Sequence, residues 1–216
     1  VCTPFVRKGD FEAMGISTEL STEDPFRDAN FKSYVLQNFD MDKDGGISQK
    51  EALAVDTIKV ITENIVDLAG VELFKELLYL YCSGVDEDKF KFDVGMEGAL
   101  AHLDVRANTK LAYLFCYHNK LAELDLRNNV QLKGLDINNT LITSIDLSSN
   151  YQLEWLEGHN CPYLEEVVYA RSGNLRSVFM DQCNFISVDI SMLPNINSYN
   201  CAYSHKLESL DFSKNE

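Results

Sequence analysis

From Leu100 onward the apolar positions repeat one phrase: apolar, two spacers, apolar, one spacer, apolar. It is clearest in Leu111-Ala-Tyr-Leu114-Phe-Cys116 and in Leu121-Ala-Glu-Leu124-Asp-Leu126. The phrase restarts at Leu100, Leu111, Leu121, Leu132, Ile142, Leu153, Leu164, Leu175, Phe185, Ile196 and Leu207, at steps of 10 or 11 residues. Residues two apart point to the same side of an extended segment, so each phrase predicts a short strand with its apolar side inward. Two phrases make one coil of about 21 residues, and self-similarity at such a period predicts a solenoid.

Alternate phrases form two series. The first begins at Leu111, Leu132, Leu153, Leu175 and Ile196, with Cys116, Ile137, Gly158, Met180 and Cys201 as the inward sixth positions. The second begins at Leu100, Leu121, Ile142, Leu164, Phe185 and Leu207, with Val105, Leu126, Leu147, Tyr169, Ile190 and Phe212. Outward positions of the second series are small or acidic: Ser144, Asp146, Ser148, Ser187, Asp189, Ser191, Ser209, Asp211 and Ser213. Those of the first carry Tyr113, Phe115, Tyr117, Trp155, His159 and Phe179, beside Asp136, Asn138, Glu157 and Asp181. Aromatic rings mixed with acids and amides are what a protein or sugar partner uses. The candidate ligand-binding set is therefore Tyr113, Phe115, Tyr117, Trp155, Glu157, His159 and Phe179. Plain cross-strand packing of the rings is the competing reading. Asn108, Asn119, Asn129, Asn150 and Asn215 stand at the turns, where a side-chain amide can satisfy backbone groups exposed by the bend. Cys161 and Cys183 hold the same turn position as Asn119.

Upstream the period changes. Residues 1–25 show none and read as a poorly ordered segment. Phe31, Tyr34, Val35 and Phe39 have helical spacing. Then comes Asp40-Met-Asp-Lys-Asp-Gly-Gly-Ile-Ser-Gln-Lys-Glu51, which fits the calcium-loop template D-x-D-x-D-G-x-I-x-x-x-E. Calcium takes six to eight oxygens: Asp40, Asp42 and Asp44 would give side-chain oxygens, Gly46 its carbonyl, Ser48 a direct or water-borne contact, and Glu51 both carboxylate oxygens. Gly45 takes the sharp turn. An acidic helix–turn–helix that binds nothing is the alternative. With one loop rather than a pair, the expected cofactor is a single structural calcium. Residues 26–54 then form a helical cap and 55–216 the solenoid, with Val55 to Leu77 as one coil and Ile58 and Val60 matching Leu80 and Cys82.

Composition narrows the partners. Nineteen basic against 34 acidic residues leave a formal charge of −15, which argues against nucleic acid and anionic membrane surfaces. No apolar run is long enough for a transmembrane helix. Six cysteines (Cys2, Cys82, Cys116, Cys161, Cys183, Cys201) show no zinc spacing. Cys82, Cys116 and Cys201 sit where the repeat elsewhere places aliphatic residues, and read as small buried hydrophobes. The chain begins at Val1, so processing or cloning is expected to have removed an earlier start, and Cys2 could be a lipid-anchor cysteine or an ordinary thiol.

Leu111–Asn119 and Ile142-Thr-Ser-Ile-Asp-Leu-Ser-Ser-Asn150 resemble the secreted and surface leucine-rich-repeat proteins of bacteria, most of all the internalin-like subtype with its repeat of about 21 residues. Asn38 to Ala52 is similar to the cap of many gut Bacteroidetes members. The resemblance implies an α/β or mainly β solenoid with parallel strands and a small helical cap, export to the exterior or cell surface, in many cases on a lipid anchor, and adhesion or recognition rather than catalysis. Self-assembly through an open C-terminal edge, giving a homodimer or a structural surface component, is the second expectation. A β-helix enzyme acting on polysaccharide is the third; the strict aliphatic pattern and the absence of a basic residue within an outward acidic cluster speak against it. One irregularity stands out. Cys82 to Cys116 is 34 residues, neither one coil nor two. Phe92-Asp-Val94 fits the half-unit, and burial of Phe90, Phe92 and Val94 favours packing it as an extra half-turn, which would make the two series exchange sides after Cys82.

Overall fold

The computed structural model describes residues 24–85, 97–171, 173–213 and 215; most of the 1–25 segment, Cys2, Phe90 and Phe92–Val94 lie outside them. Helix α1 (Ala29–Phe39) starts where Asp28 caps it: Oδ1 accepts from the backbone N–H of Asn30 at 2.8 Å and of Phe31 at 3.1 Å. The other oxygen accepts from Val66 N–H at 2.8 Å, so one carboxylate both starts the helix and ties it to the first coil. Phe31 and Val35 turn their helical face into the core, and Phe39 meets Phe74 edge-on at 5.6 Å. The Tyr34 hydroxyl donates to the Lys59 carbonyl at 2.7 Å. Helix α2 (Gln49–Ala52) carries a reciprocal capping box between Ser48 and Glu51.

The rest is a parallel-strand leucine-rich-repeat solenoid. Strands β1 (Thr57–Lys59), β2 (Tyr79–Tyr81), β3 (Tyr113–Phe115), β4 (Gly134–Asp136), β6 (Trp155–Glu157), β8 (Ser177–Phe179) and β10 (Ser198–Asn200) form one seven-stranded sheet in the order β1-β2-β3-β4-β6-β8-β10. The second half-units supply β5 (Ser144–Leu147) paired with β7 (Glu166–Tyr169), and β9 (Ser187–Asp189) paired with β11 (Ser209–Asp211). Ile58, Leu80, Leu114, Leu135, Leu156 and Val178 stack as one fully buried column, with Cys82, Cys116, Ile137 and Met180 as the next. Each aliphatic side chain so buried contributes roughly 1.5–3 kcal/mol. Phe212, an inward sixth position by pattern, is 58% exposed, because β11 has a coil on one side only.

The register settles on which side each series runs. Leu80 pairs with Leu114 and Tyr81 with Phe115, and Cys82 N–H donates to the Phe115 carbonyl at 2.8 Å. The two series therefore keep their sides. Gly84 N–H reaches Tyr117 O at 2.9 Å, and Gly98 N–H reaches His118 O at 2.9 Å, so the chain leaves and rejoins the stack on one rung. Both glycines are obligatory there. A Cβ on Gly84 would lie 2.0 Å from His118 O and 2.5 Å from Gly98 N; one on Gly98 would lie 2.1 Å from Asn119 Oδ1.

At the corner after the second half-unit, amides run from coil to coil. Asn108 Nδ2 donates to the Val71 and Phe74 carbonyls, Asn129 to Val105 and Asn108, and Asn150 to Leu126 and Asn129, all at 2.9–3.0 Å. The opposite corner begins the same way, Asn119 donating to Cys82 O at 2.7 Å and accepting from Thr62 Oγ1 at 2.6 Å. It then changes chemistry: the Thr140 hydroxyl donates to Ile137 O at 2.8 Å, Cys161 Sγ to Ile137 O at 3.2 Å and Cys183 Sγ to Gly158 O at 3.1 Å. Just before each of these corner residues, His118, Asn139, Asn160, Gln182 and Tyr203 take left-handed φ of 52–58°. Of these residue types, Asn and His enter that region more readily than the others. Replacing Asn129 by Ala strands two buried carbonyls and is expected to cost about 2 kcal/mol or more, read as a lower midpoint in urea unfolding followed by circular dichroism.

Candidate functional site

The outward face of the seven-stranded sheet is where most of the candidate ligand residues meet. Coils in register bring like positions together, so Tyr79 stacks on Tyr113 with centroids 4.9 Å apart and planes 6° apart, and Tyr81 on Phe115 at 4.3 Å and 5°. Phe115 continues to Trp155, tilted by 45° at 5.6 Å. The indole reaches across β4 because Gly134 gives it room: a Cβ there would lie 2.2 Å from Trp155 Cζ2. At the cap end Lys59 Nζ stands 5.9 Å from the Tyr81 ring centre. Tyr79, Tyr81 and Lys59 were missed by the sequence reading. Tyr79 and Tyr81 match Tyr113 and Phe115 position for position, a signal hidden by the uncertain register before Cys116.

Beyond Phe115 the same row turns acidic through Asp136 and Glu157 before Phe179, which is 38% exposed. His159 Nδ1 pairs with Asp181 Oδ2 at 2.6 Å, and its backbone N–H donates to Asn138 Oδ1 at 2.5 Å. Asn138 Nδ2 in turn faces Glu157 Oε2 at 3.4 Å. Three positions expected on the surface are not there. Tyr117 is 4% exposed, edge-on to the buried His118 ring, and its row neighbours Ser83 and Asn138 are buried with it. Tyr117 is therefore withdrawn from the contact set. Asp136 is buried as well. Its Oδ1 accepts from Asn138 N–H at 2.9 Å, and burial, with Glu157 beside it, raises its carboxyl well above the usual range. Alternation along a strand gives direction; depth depends on how tall the neighbouring side chains are.

The other side of the solenoid holds a broad open groove of about 1320 Å³, between Arg27 and Asp67 of the cap end and Ser144 and Asp146. Its acids explain the outward Asp of the second series. Asp67, Asp104, Asp125, Asp146, Asp189 and Asp211 each accept, through Oδ1, from the backbone N–H two residues on, at 2.8–3.1 Å. They hold turns. Arg106 and Arg127 fold back on Asp104 and Asp125 in two-pronged pairs, which hold the Asp125 carboxyl down to about 2.

In the cap, carboxylate oxygens of Asp40, Asp42 and Asp44 lie within 4.8 Å of one another. Asp40 Oδ2 accepts from Gly45 N–H at 3.0 Å, while Asp40 Oδ1 is buried with no partner. Asp42 Oδ1 accepts from Asp44 N–H and Asp44 Oδ1 from Gly46 N–H. Lys43 and Gly45 take the left-handed turns, at φ 60° and 88°. Glu51 reaches back over the loop: Oε1 accepts from Met41 N–H at 2.7 Å, Oε2 from Ser48 N–H at 2.8 Å and from the Ser48 hydroxyl at 2.7 Å. Those bonds, the Ser48 hydroxyl first, hold its carboxyl down to about 2.

No protein family and no curated protein matches the sequence. Solved structures do. The functional domain of InlJ from Listeria monocytogenes, described as including a cysteine ladder, aligns over 89% of this chain and 47% of that one at 22% identity and a TM-score of 0.55. The internalin InlF of the same organism aligns over 89% of this chain and 71% of that one at 15% identity and a TM-score of 0.54. The likeness is one of fold: an internalin-type leucine-rich-repeat solenoid. This chain spans about half the length of the InlJ structure. No helix among the described residues is long and apolar enough to cross a membrane.

Burial of Asp136 has a consequence for stability. The folded carboxyl is raised above the 3.8 of an exposed one, so its contribution is fully present below that pH and is lost as pH climbs through the folded value. Asp136→Asn keeps the acceptor for Asn138 and removes the titration. The variant should melt higher than the parent at neutral pH, and the gap should close near pH 3, as a series of thermal melts would show.

Proposed function

We propose that this chain is a non-enzymatic recognition module of the cell exterior that binds a protein or glycan through the aromatic face of the seven-stranded sheet. The supporting observation is the run Tyr79–Tyr113 and Tyr81–Phe115–Trp155, ordered by stacking and bordered by Glu157, His159 and Phe179. Rings already stacked lose little freedom when a partner arrives, and such rigid aromatic anchors carry much of the energy of an interface. Internalins are the solved proteins whose fold it shares, and exposure at a cell surface fits that kinship. Display of the purified domain on protein and glycan arrays tests the reading. Phe115→Ala and Trp155→Ala, with unchanged circular dichroism, should abolish the detected binding; a partner retained by both variants would reject this face.

The cap loop is proposed to hold one calcium ion. Asp40, Asp42 and Asp44 fit a hard cation, and the unpartnered Asp40 Oδ1 is the atom a cation would satisfy. Gly46 would offer its carbonyl and Ser48 a direct or water-borne contact. Glu51 would exchange its bonds to Met41 and Ser48 for the metal. A bound ion would fix the segment between α1 and α2, and through Phe39 against Phe74 the seating of the cap. Adding calcium should raise the melting temperature, by an amount set by the ratio of free metal to Kd, and Asp40→Ala should abolish the rise. A flat calorimetric titration would dispose of the site.

A further inference from the structure

We infer that the partner of the aromatic face presents a cationic side chain, arginine above all, to the corner formed by Trp155, Glu157 and Phe179, so that the ligand is a basic polypeptide segment rather than a neutral glycan. The inference rests on the recognition reading above and narrows it.

The ring faces decide the chemistry. In the stacks Tyr79–Tyr113 and Tyr81–Phe115 the planes are parallel within 6°, so each ring covers one face of its neighbour. Phe115 has its second face toward Trp155, and Tyr81 has Lys59 Nζ 5.9 Å from its centre. A pyranose needs an open ring face to lie on, and Tyr81 and Phe115 have both faces engaged. Phe179 differs: it is exposed and stacks on no ring among the described residues. Directly across from it in the register stands Glu157, one strand spacing of about 4.8 Å away. Trp155 precedes Glu157 by two residues on β6 and therefore shares its outward side. One carboxylate thus lies between two aromatic side chains.

The charge of that carboxylate is not met among the described residues. Glu157 makes no ion pair among the described residues, and its hydrogen bond from Asn138 is long, 3.4 Å. His159, two residues on from Glu157, is turned to Asp181 at 2.6 Å. A guanidinium is planar, stacks on aromatic faces and pairs with a carboxylate at once. The chain's formal charge of −15 favours approach of a basic segment. The Lys59–Tyr81 contact shows the same pairing of cation and ring already made within this sheet.

Trp155 is the single tryptophan of the chain, so its fluorescence reports on this corner alone. The probe is a peptide of nine arginines, titrated at physiological salt into the full chain while Trp155 emission is followed. Binding should shift the emission. Glu157→Gln should weaken affinity about tenfold, and Phe179→Leu should weaken it as well. Glu208→Gln removes the same charge from an exposed position on the last coil and should change affinity by less than about twofold, since charges beyond a Debye length are screened. Equal loss in Glu157→Gln and Glu208→Gln would mean attraction to net charge alone and would overturn the inference. A neutral glycan array with the same proteins separates the two levels of the claim. Glycans held by the parent and by Glu157→Gln but lost in Trp155→Leu would overturn the cationic partner while leaving the recognition face standing. No Trp155 response to the peptide, and no glycan that depends on Trp155 or Phe115, would remove both.

Discussion

Every coil of this solenoid turns through buried backbone, and each carbonyl left behind by the turn must find a donor inside the protein. That constraint orders the molecule more firmly than the aliphatic columns do. Leucines tolerate exchange with other apolar residues of similar volume, but the corner at Asn108, Asn129 and Asn150 needs a donor of fixed reach. The opposite corner shows how loosely identity can vary once reach is kept. An amide at Asn119, a hydroxyl at Thr140 and thiols at Cys161 and Cys183 all deliver a hydrogen to a carbonyl of a turn. The two cysteines are thus backbone partners at this corner, in the place that Asn119 holds in an earlier coil.

Fixing the corners fixes the register, and the register composes the surface. Because β2, β3, β4 and β6 are aligned residue for residue, side chains one coil apart stand within stacking distance. A row that begins as Lys59, Tyr81 and Phe115 becomes a cation–ring stack, and its continuation passes over the buried Asp136 to a single outward carboxylate, Glu157, beside the Phe179 ring. The face is therefore graded along the solenoid axis, with stacked rings near the cap and a carboxylate beside a ring further on.

Some of this was legible in the sequence, and the reasons differ by residue. The phrase through Leu111 and Leu121 is legible because a buried column admits few residue types. The outward acids Asp146, Asp189 and Asp211 could be placed but not explained: a carboxylate that accepts from the N–H two residues on looks the same in sequence as one waiting for a ligand. The burial of Tyr117 and Asp136 was invisible for a related reason, since alternation says which way a side chain points and nothing of what stands around it. The sides of the two series could not be read from the aliphatic pattern, because Phe92-Asp-Val94 fits the half-unit as well. The outward residues carried the answer, for Tyr79 and Tyr81 repeat Tyr113 and Phe115. In the cap, the spacing of Asp40, Asp42 and Asp44 could be read directly, whereas the engagement of Glu51 with Met41 and Ser48 needed coordinates.

The pair Gly84 and Gly98 closes the rung at which the chain departs and returns. The hydrogen bonds that seal it belong to the two glycines and to the carbonyls of Tyr117 and His118. Residues far apart in sequence are thus held as neighbours, and the entropic cost of joining two such ends grows only as the logarithm of the length of chain between them. For anyone building on this scaffold, that rung is a natural socket: its two ends are held side by side by bonds to the next coil, at Tyr117 and His118, and not by the chain that joins them.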